Sequence, residues 1–261
     1  MRDPREGRSP EGLVVTGARR DRVPPAFEPV LSAATRAMDD GASLYLYGSV
    51  ATGTAVPGRS DVDLVAVGVP DEQAAALGAE LSARFSTLCR GVTVGVSRPD
   101  ELTGDSDAAY GNRVFLRHYC VWLAGPDPRA DLPPCPADRR AARGFNGDIG
   151  LSLARWRRLV GEVEPGPLGR RVARKSLFAV AGLVSLHDST WTTDRVGAAR
   201  RWAHLHPGMA GSLQDLQAWS QGHRHPDGPA VTGALEGVVP AVVAQFSERI
   251  GLWPDPGPAE P

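Results

Sequence analysis

Apolar residues recur at helical spacing over residues 26–40. Phe27, Val30, Leu31 and Ala34 share one face there, and Gly41 ends the pattern. Leu44-Tyr45-Leu46-Tyr47 then reads as a strand closed by Gly48, with a short helix starting at 49–54. Pro57-Gly58-Arg59-Ser60 is a turn, and a second strand is predicted over residues 61–67. A helix over 71–88 follows. Val92, Val94 and Val96 alternate with Thr93, Gly95 and Ser97, the pattern of a strand with one buried face. A helix over 106–118 and a short strand over 119–123 lead into Gly125-Pro126-Asp127-Pro128.

Beyond residue 137 the strand signals end. Ile149, Leu153, Trp156 and Val160 form one helical stripe, and Leu177, Val180, Ala181 and Val184 form another. Further helices are predicted near 194–205, 212–221 and 240–250, where Pro240 suits a first turn. Residues 1–25 are polar and close on Pro24-Pro25, the composition of a loose arm. The expected organisation is a disordered arm over 1–25, an α/β domain over 26–133, an all-helical domain over 137–251 and a disordered tail over 252–261.

Composition narrows the partners. The chain has 261 residues, 42% of them apolar, and a formal charge of -1. That is room for ordinary cores, and no global charge draws the chain onto nucleic acid or membrane. Cys89, Cys120 and Cys135 lack the paired spacing of a zinc site and suit reduced thiols in a cytoplasm. The N-terminus has charge but no apolar run, unlike a signal peptide. No stretch approaches about 18 consecutive apolar residues, so no membrane span is expected. His204-x-His206 and His223-x-His225 lack a Cys or carboxylate partner at ligand spacing.

The chemistry concentrates in Tyr45-Leu46-Tyr47-Gly48-Ser49, eleven residues, then Asp61-Val62-Asp63-Leu64. A strand that ends on Gly-Ser and opens a helix presents backbone N–H groups and a hydroxyl, a cradle for phosphate oxygens. Gly48 lets them approach the backbone. Asp61 and Asp63 are two apart on a strand, so both carboxylates share a face. Together with phosphate oxygens they make an oxygen site suited to Mg²⁺.

This segment resembles the signature of the DNA polymerase β-like nucleotidyltransferases: strand, Gly-Ser, a spacer, then Asp-hydrophobic-Asp. The resemblance runs over about residues 26–130. It implies a small mixed sheet, binding of Mg²⁺ and of ATP or another nucleoside triphosphate, and transfer of a nucleoside monophosphate, AMP above all, to an acceptor hydroxyl. In its terms Gly48 and Ser49 hold the phosphates and Asp61 and Asp63 hold the metal. The helical half resembles, more loosely, the partner domain of the streptomycin/spectinomycin adenylyltransferases, through Asp148-Ile-Gly-Leu-Ser-Leu-Ala-Arg155 and Trp191-Thr-Thr-Asp194-Arg.

One part of the pattern is missing. The family's third carboxylate, which serves the metal and takes the acceptor proton, falls on Thr93, a neutral residue. Asp148, Glu101 and Asp100 are the candidates to replace it, with Asp148 as the catalytic candidate. Lys175, the only lysine, is a candidate phosphate ligand, and Arg171 shares its helix face. Trp191 is the candidate for a base contact.

Residues 137–250 carry fourteen Arg and one Lys against ten Asp plus Glu, a surplus of +5 that leaves -6 elsewhere. A basic second domain argues against the polycationic acceptors of the antibiotic-modifying relatives. The function expected is nucleotidyl transfer to an unidentified small-molecule or macromolecular acceptor. The alternative is a catalytically degenerate nucleotide-binding protein that acts through a protein partner, as an antitoxin does. Nucleic-acid binding through the basic helices ranks third.

Overall fold

The computed structural model describes residues 3–254. The chain divides into two compact units, Met1–Pro136 and Ala137–Pro261. The first is an α+β unit with a small mixed sheet and the second is helical, the fold class the sequence leads one to expect.

The first unit opens on a two-stranded hairpin, β1 (Gly7–Arg8) and β2 (Val14–Val15). Then come α1 (Glu28–Arg36), β3 (Ser43–Tyr47), α2 (Gly48–Ala51), β4 (Val62–Val67), α3 (Asp71–Arg84), β5 (Val92–Ser97), α4 (Asp107–Tyr119) and β6 (Val121–Ala124). The sheet order is β5-β4-β3-β6. β4 and β5 are parallel, joined by the α3 crossover, and the other pairings are antiparallel. Alternation along the strands sorts the side chains. Leu44, Leu46, Val62, Leu64, Ala66 and Val92 join Phe27, Val30 and Leu31 of the α1 side and Leu81 of α3 in one core. Tyr45, Val65 and Val67 point the other way and pack with Leu116 and Cys120 at the end of α4. Tyr119, expected in a strand, closes α4 instead, and β6 starts two residues later.

The edge of the sheet is closed by the segment after β6. Gly125 has φ +77°, and a Cβ there would lie 1.9 Å from the Ala42 carbonyl, so only glycine fits. Ser43 Oγ donates to the Pro126 carbonyl at 2.6 Å, and the buried Tyr45 hydroxyl donates to Asp127 at 3.0 Å.

The arm expected to be disordered is strapped to this unit. The Val14 N–H donates to the Cys135 carbonyl at 2.9 Å, and Arg19 N–H donates to the Ala51 carbonyl at 3.0 Å. Tyr119 Oη donates to Glu6 at 2.7 Å, and Val14 and Val23 are buried. Its polar residues are satisfied by partners far along the chain, which local composition does not register.

The second unit has seven helices among the described residues: α5 (Arg139–Asn146), α6 (Ile149–Leu159), α7 (Pro165–His187), α8 (Arg195–Leu205), α9 (Ala210–Gln221), α10 (Gly228–Glu236) and α11 (Val238–Arg249). α7 is the axle: from Leu168 to Ser185 most of its residues are buried, and α5, α6, α8, α9, α10 and α11 pack on it. Trp156, Trp191, Trp202 and Trp219 are buried within this core. The tail expected from residue 252 is docked at its start, where Trp253 donates to the Arg143 carbonyl at 2.8 Å. The remainder of that call, residues 255–261, lies outside the described residues. Gly228–Arg249 reaches a mean hydropathy of 1.3, enough for a membrane span by length and composition. Gly237 breaks it into α10 and α11, whose Val231, Leu235, Val239, Val242 and Phe246 are buried in the unit.

His118, in the last turn of α4, holds the end of the first unit. Its Nε2 accepts from the Cys135 N–H at 2.8 Å, and the Thr16 hydroxyl donates to its carbonyl. Burial, helped by the Arg117 charge, lowers its pKa from 6.5 to about 4. The unfolded chain therefore binds a proton between those values that the folded chain refuses. Stability is expected to fall as pH drops from about 6.5 toward 4. Melting curves should show a steeper loss across that window for the wild type than for His118→Asn.

Candidate active site

β3 runs straight into the turn that carries the Gly-Ser pair. Gly48 takes φ +73°, a left-handed conformation that costs other residues about 1–2 kcal/mol. A second demand falls on the same atom: a Cβ on Gly48 would lie 2.5 Å from Asp63 Oδ2. The glycine therefore makes room for the carboxylate as well as for the turn. α2 is a single turn, so little macrodipole develops. What it offers is its first N–H groups, which have no intrahelical acceptor, and the Ser49 hydroxyl. That hydroxyl has no hydrogen-bond partner among the described residues.

The ladder places the acids. Tyr47 pairs with Asp63 across the antiparallel β3–β4 register, so the carboxylate lies directly opposite the residue before Gly48. Asp61 immediately precedes β4, and the two-residue spacing turns it to the same face. Asp63 is half-buried and accepts no hydrogen bond among the described residues. Its pKa is raised, first by burial and then by the charge of Asp61, with Arg90 pulling the other way. The Tyr47 hydroxyl is pushed up to about 12 by burial and by Asp63. Its ring meets Phe115 of α4 edge-on at 5.1 Å.

An anionic carboxylate that is half-buried, lacks donors and has a like charge beside it calls for a cation. Two carboxylates are hard oxygen donors, so they fit a hard divalent ion. Among the described residues no group of three His, Cys, Asp or Glu is gathered for a metal. Thr93 pairs with Asp63 in the parallel β4–β5 register and occupies the position of the expected third acid. Glu101 does not replace it. It sits in the turn after β5, where its carboxylate accepts from the Arg98 N–H at 3.0 Å. Asp100 lies in the same exposed turn.

Residues 31–106 match the family model of the nucleotidyltransferase domain. The match runs from α1 to the residue before α4, and so spans Gly48, Ser49, Asp61, Asp63, Arg90 and Thr93. It ends before the helical unit, so the likeness of that unit to the antibiotic adenylyltransferases rests on its residues alone. No curated protein matches the chain.

Arg90 escaped the sequence reading. Its Nε donates to Asp61 Oδ1 at 2.9 Å, and its Nη2 donates to Oδ2, a bidentate fork on one of the two acids of the matched segment. The signal available was a basic residue just before the strand that follows the Asp-x-Asp pair.

The candidates in the helical unit find each other. Lys175 Nζ lies 2.6 Å from Asp148 Oδ1 and donates to the Phe145 carbonyl at 3.0 Å. Asp148 also accepts from Ser152 Oγ at 3.3 Å. The lone lysine and the candidate base thus form an ion pair between α7 and the start of α6. Arg171 is exposed on α7. Trp191, considered as a base contact, is 2% exposed and packs on Phe145, which makes it a core residue.

Asp63 carries a charge that burial and Asp61 disfavour and that Arg90 offsets in part. Asp63→Asn is expected to raise the melting temperature of the metal-free protein at pH 7 by about 2–4 °C, the equivalent of about 1 kcal/mol. Calorimetry or circular dichroism reads it, and a lowered melting temperature would show that the charge has a partner in the fold.

Proposed function

We propose that the protein is a Mg²⁺-dependent nucleotidyltransferase that moves AMP from ATP to an acceptor hydroxyl. The observation that carries this is the half-buried Asp63 carboxylate, without a donor among the described residues, beside Asp61 and over the Gly48 turn. Asp61 and Asp63 hold the metal, which supplies charge stabilisation at the phosphates when bound. The Ser49 hydroxyl and the first N–H groups of α2 hold the outer phosphates and orient the α-phosphorus. Lys175 and Arg171 are proposed as cations for the triphosphate. Asp148 is the proposed base, which requires that its ion pair with Lys175 open or that its second oxygen act.

Thr93 favours a second reading. A neutral side chain where the third carboxylate is expected leaves nucleotide binding intact and removes the nearest base. On that reading the protein binds nucleotide and acts through a protein partner. A basic helical unit also leaves room for an anionic acceptor, nucleic acid included.

ATP titrated by calorimetry is expected to bind with Mg²⁺ and to lose most of its affinity in chelator. Ser49→Ala should weaken MgATP binding by about 1.5–3 kcal/mol, the worth of a hydrogen bond to a charged group, with the fold retained. Equal affinity with and without Mg²⁺ would end the metal-bridged reading.

Incubation with Mg²⁺ and each labelled nucleoside triphosphate, alone and with cell extract, decides between transfer and binding. The enzyme reading expects a labelled product that Asp148→Asn reduces by about 10²–10⁴-fold, the usual contribution of a general base. The variant's melting temperature controls for the loss of Lys175's partner. MgATP binding without a labelled product across acceptors supports the binding protein.

A further inference from the structure

The backbone keeps Arg90 beside Asp61. The Arg90 N–H donates to the Ser60 carbonyl at 3.1 Å, and the Val62 N–H donates to the Gly91 carbonyl at 2.9 Å. These two bonds carry the parallel β4–β5 pairing past the start of both strands. A Cβ on Gly91 would lie 3.9 Å from Asp61 Oδ1, so the residue between Arg90 and β5 adds no bulk near the carboxylate. The Arg90 side chain is 71% exposed and Asp61 33%, so the arm touches the acid and little else. Its fork engages both Asp61 oxygens. Asp63, two residues on, has no such fork among the described residues.

We propose that Arg90 is the resident counter-cation of Asp61, which a divalent cation must displace to enter the site. This rests on the reading of Asp61 and Asp63 as metal ligands. A Mg²⁺ ion binds carboxylate oxygen at about 2.0–2.1 Å. Seated on Asp61 while the fork stayed closed, it would put a double positive charge a few ångströms from the guanidinium, and like charges repel strongly at that range. The exchange is within reach because an exposed ion pair is weak and its arm is mobile. The pair balances Asp61 in the empty protein and handicaps metal arriving alone. Metal arriving with a triphosphate brings the negative charge that tips the exchange, so loading of metal and nucleotide are coupled.

The test uses the full chain and Mn²⁺ alone, with free Mn²⁺ counted by electron paramagnetic resonance. Wild type, Arg90→Gln, Arg90→Lys and Asp63→Asn are compared, and each is melted without metal. Arg90→Gln is expected to bind Mn²⁺ about 2–5-fold more tightly than wild type, the factor expected from removing a weak exposed pair. Arg90→Lys, which keeps the charge and loses the fork, falls between them. Asp63→Asn should lose most of the binding. Unchanged or weaker Mn²⁺ binding in Arg90→Gln, with Asp63→Asn still defective, overturns the proposal and spares the metal site. A lowered melting temperature in Arg90→Gln without tighter Mn²⁺ binding makes Arg90 a structural tie and overturns it too. Equal binding in wild type and Asp63→Asn places the ion elsewhere and overturns both.

Discussion

Tyr47 and Asp63 face each other across the β3–β4 ladder, and the next residue along β3 is a glycine in the left-handed region. That pairing brings a carboxylate against the one backbone atom at the turn that has no Cβ. The rest of the site follows from it. A shift of register by one residue would turn Asp63 into the α1–α3 core and bring Val62 or Leu64 to the Gly48 turn. The hydrophobic alternation forbids that shift, because Val62, Leu64 and Ala66 are fully buried on the opposite face. The core of the unit and the geometry of its acids are therefore one constraint.

The parallel partner strand decides the electrostatics. β5 reaches β4 through the α3 crossover, and its register sets Thr93 beside Asp63 and Arg90 beside Asp61. The first acid gains a cation and the second gains only a neutral neighbour. Burial and a like charge raise the proton affinity of Asp63, and Arg90 offsets that only in part. Such a group costs stability in the empty protein, which is the usual mark of a position kept for binding rather than for packing. Thr93 limits how many charges the site can gather.

In the helical unit the same physics works toward stability. Lys175 and Asp148, each about a quarter exposed, neutralise one another, and the Phe145 carbonyl takes another ammonium donor. Trp191 buries its whole surface against an aromatic neighbour. Residues that stand out in a sequence for rarity stand out here because burial restricts what a position accepts.

Local periodicity determined most of the fold. Strands of period two, helices of period 3.6 and the change of pattern near residue 137 are set by each segment's need to bury one face. The Gly48-Ser49 and Asp61-x-Asp63 elements were legible for a related reason: each is a short-range geometry, a turn without a Cβ and two side chains on one face of a strand. What the tertiary structure decided lies in pairings between distant segments. The polar arm of residues 3–25 is ordered because Val14 finds Cys135, Arg19 finds Ala51 and Glu6 finds Tyr119. Asp148 and Lys175 meet, and Arg90 reaches Asp61, across 27 and 29 residues of chain. A charge or a hydrogen-bonding group in sequence carries no record of its partner, because electrostatic interactions depend on distance in space and on burial. Both exist only once the chain has closed on itself.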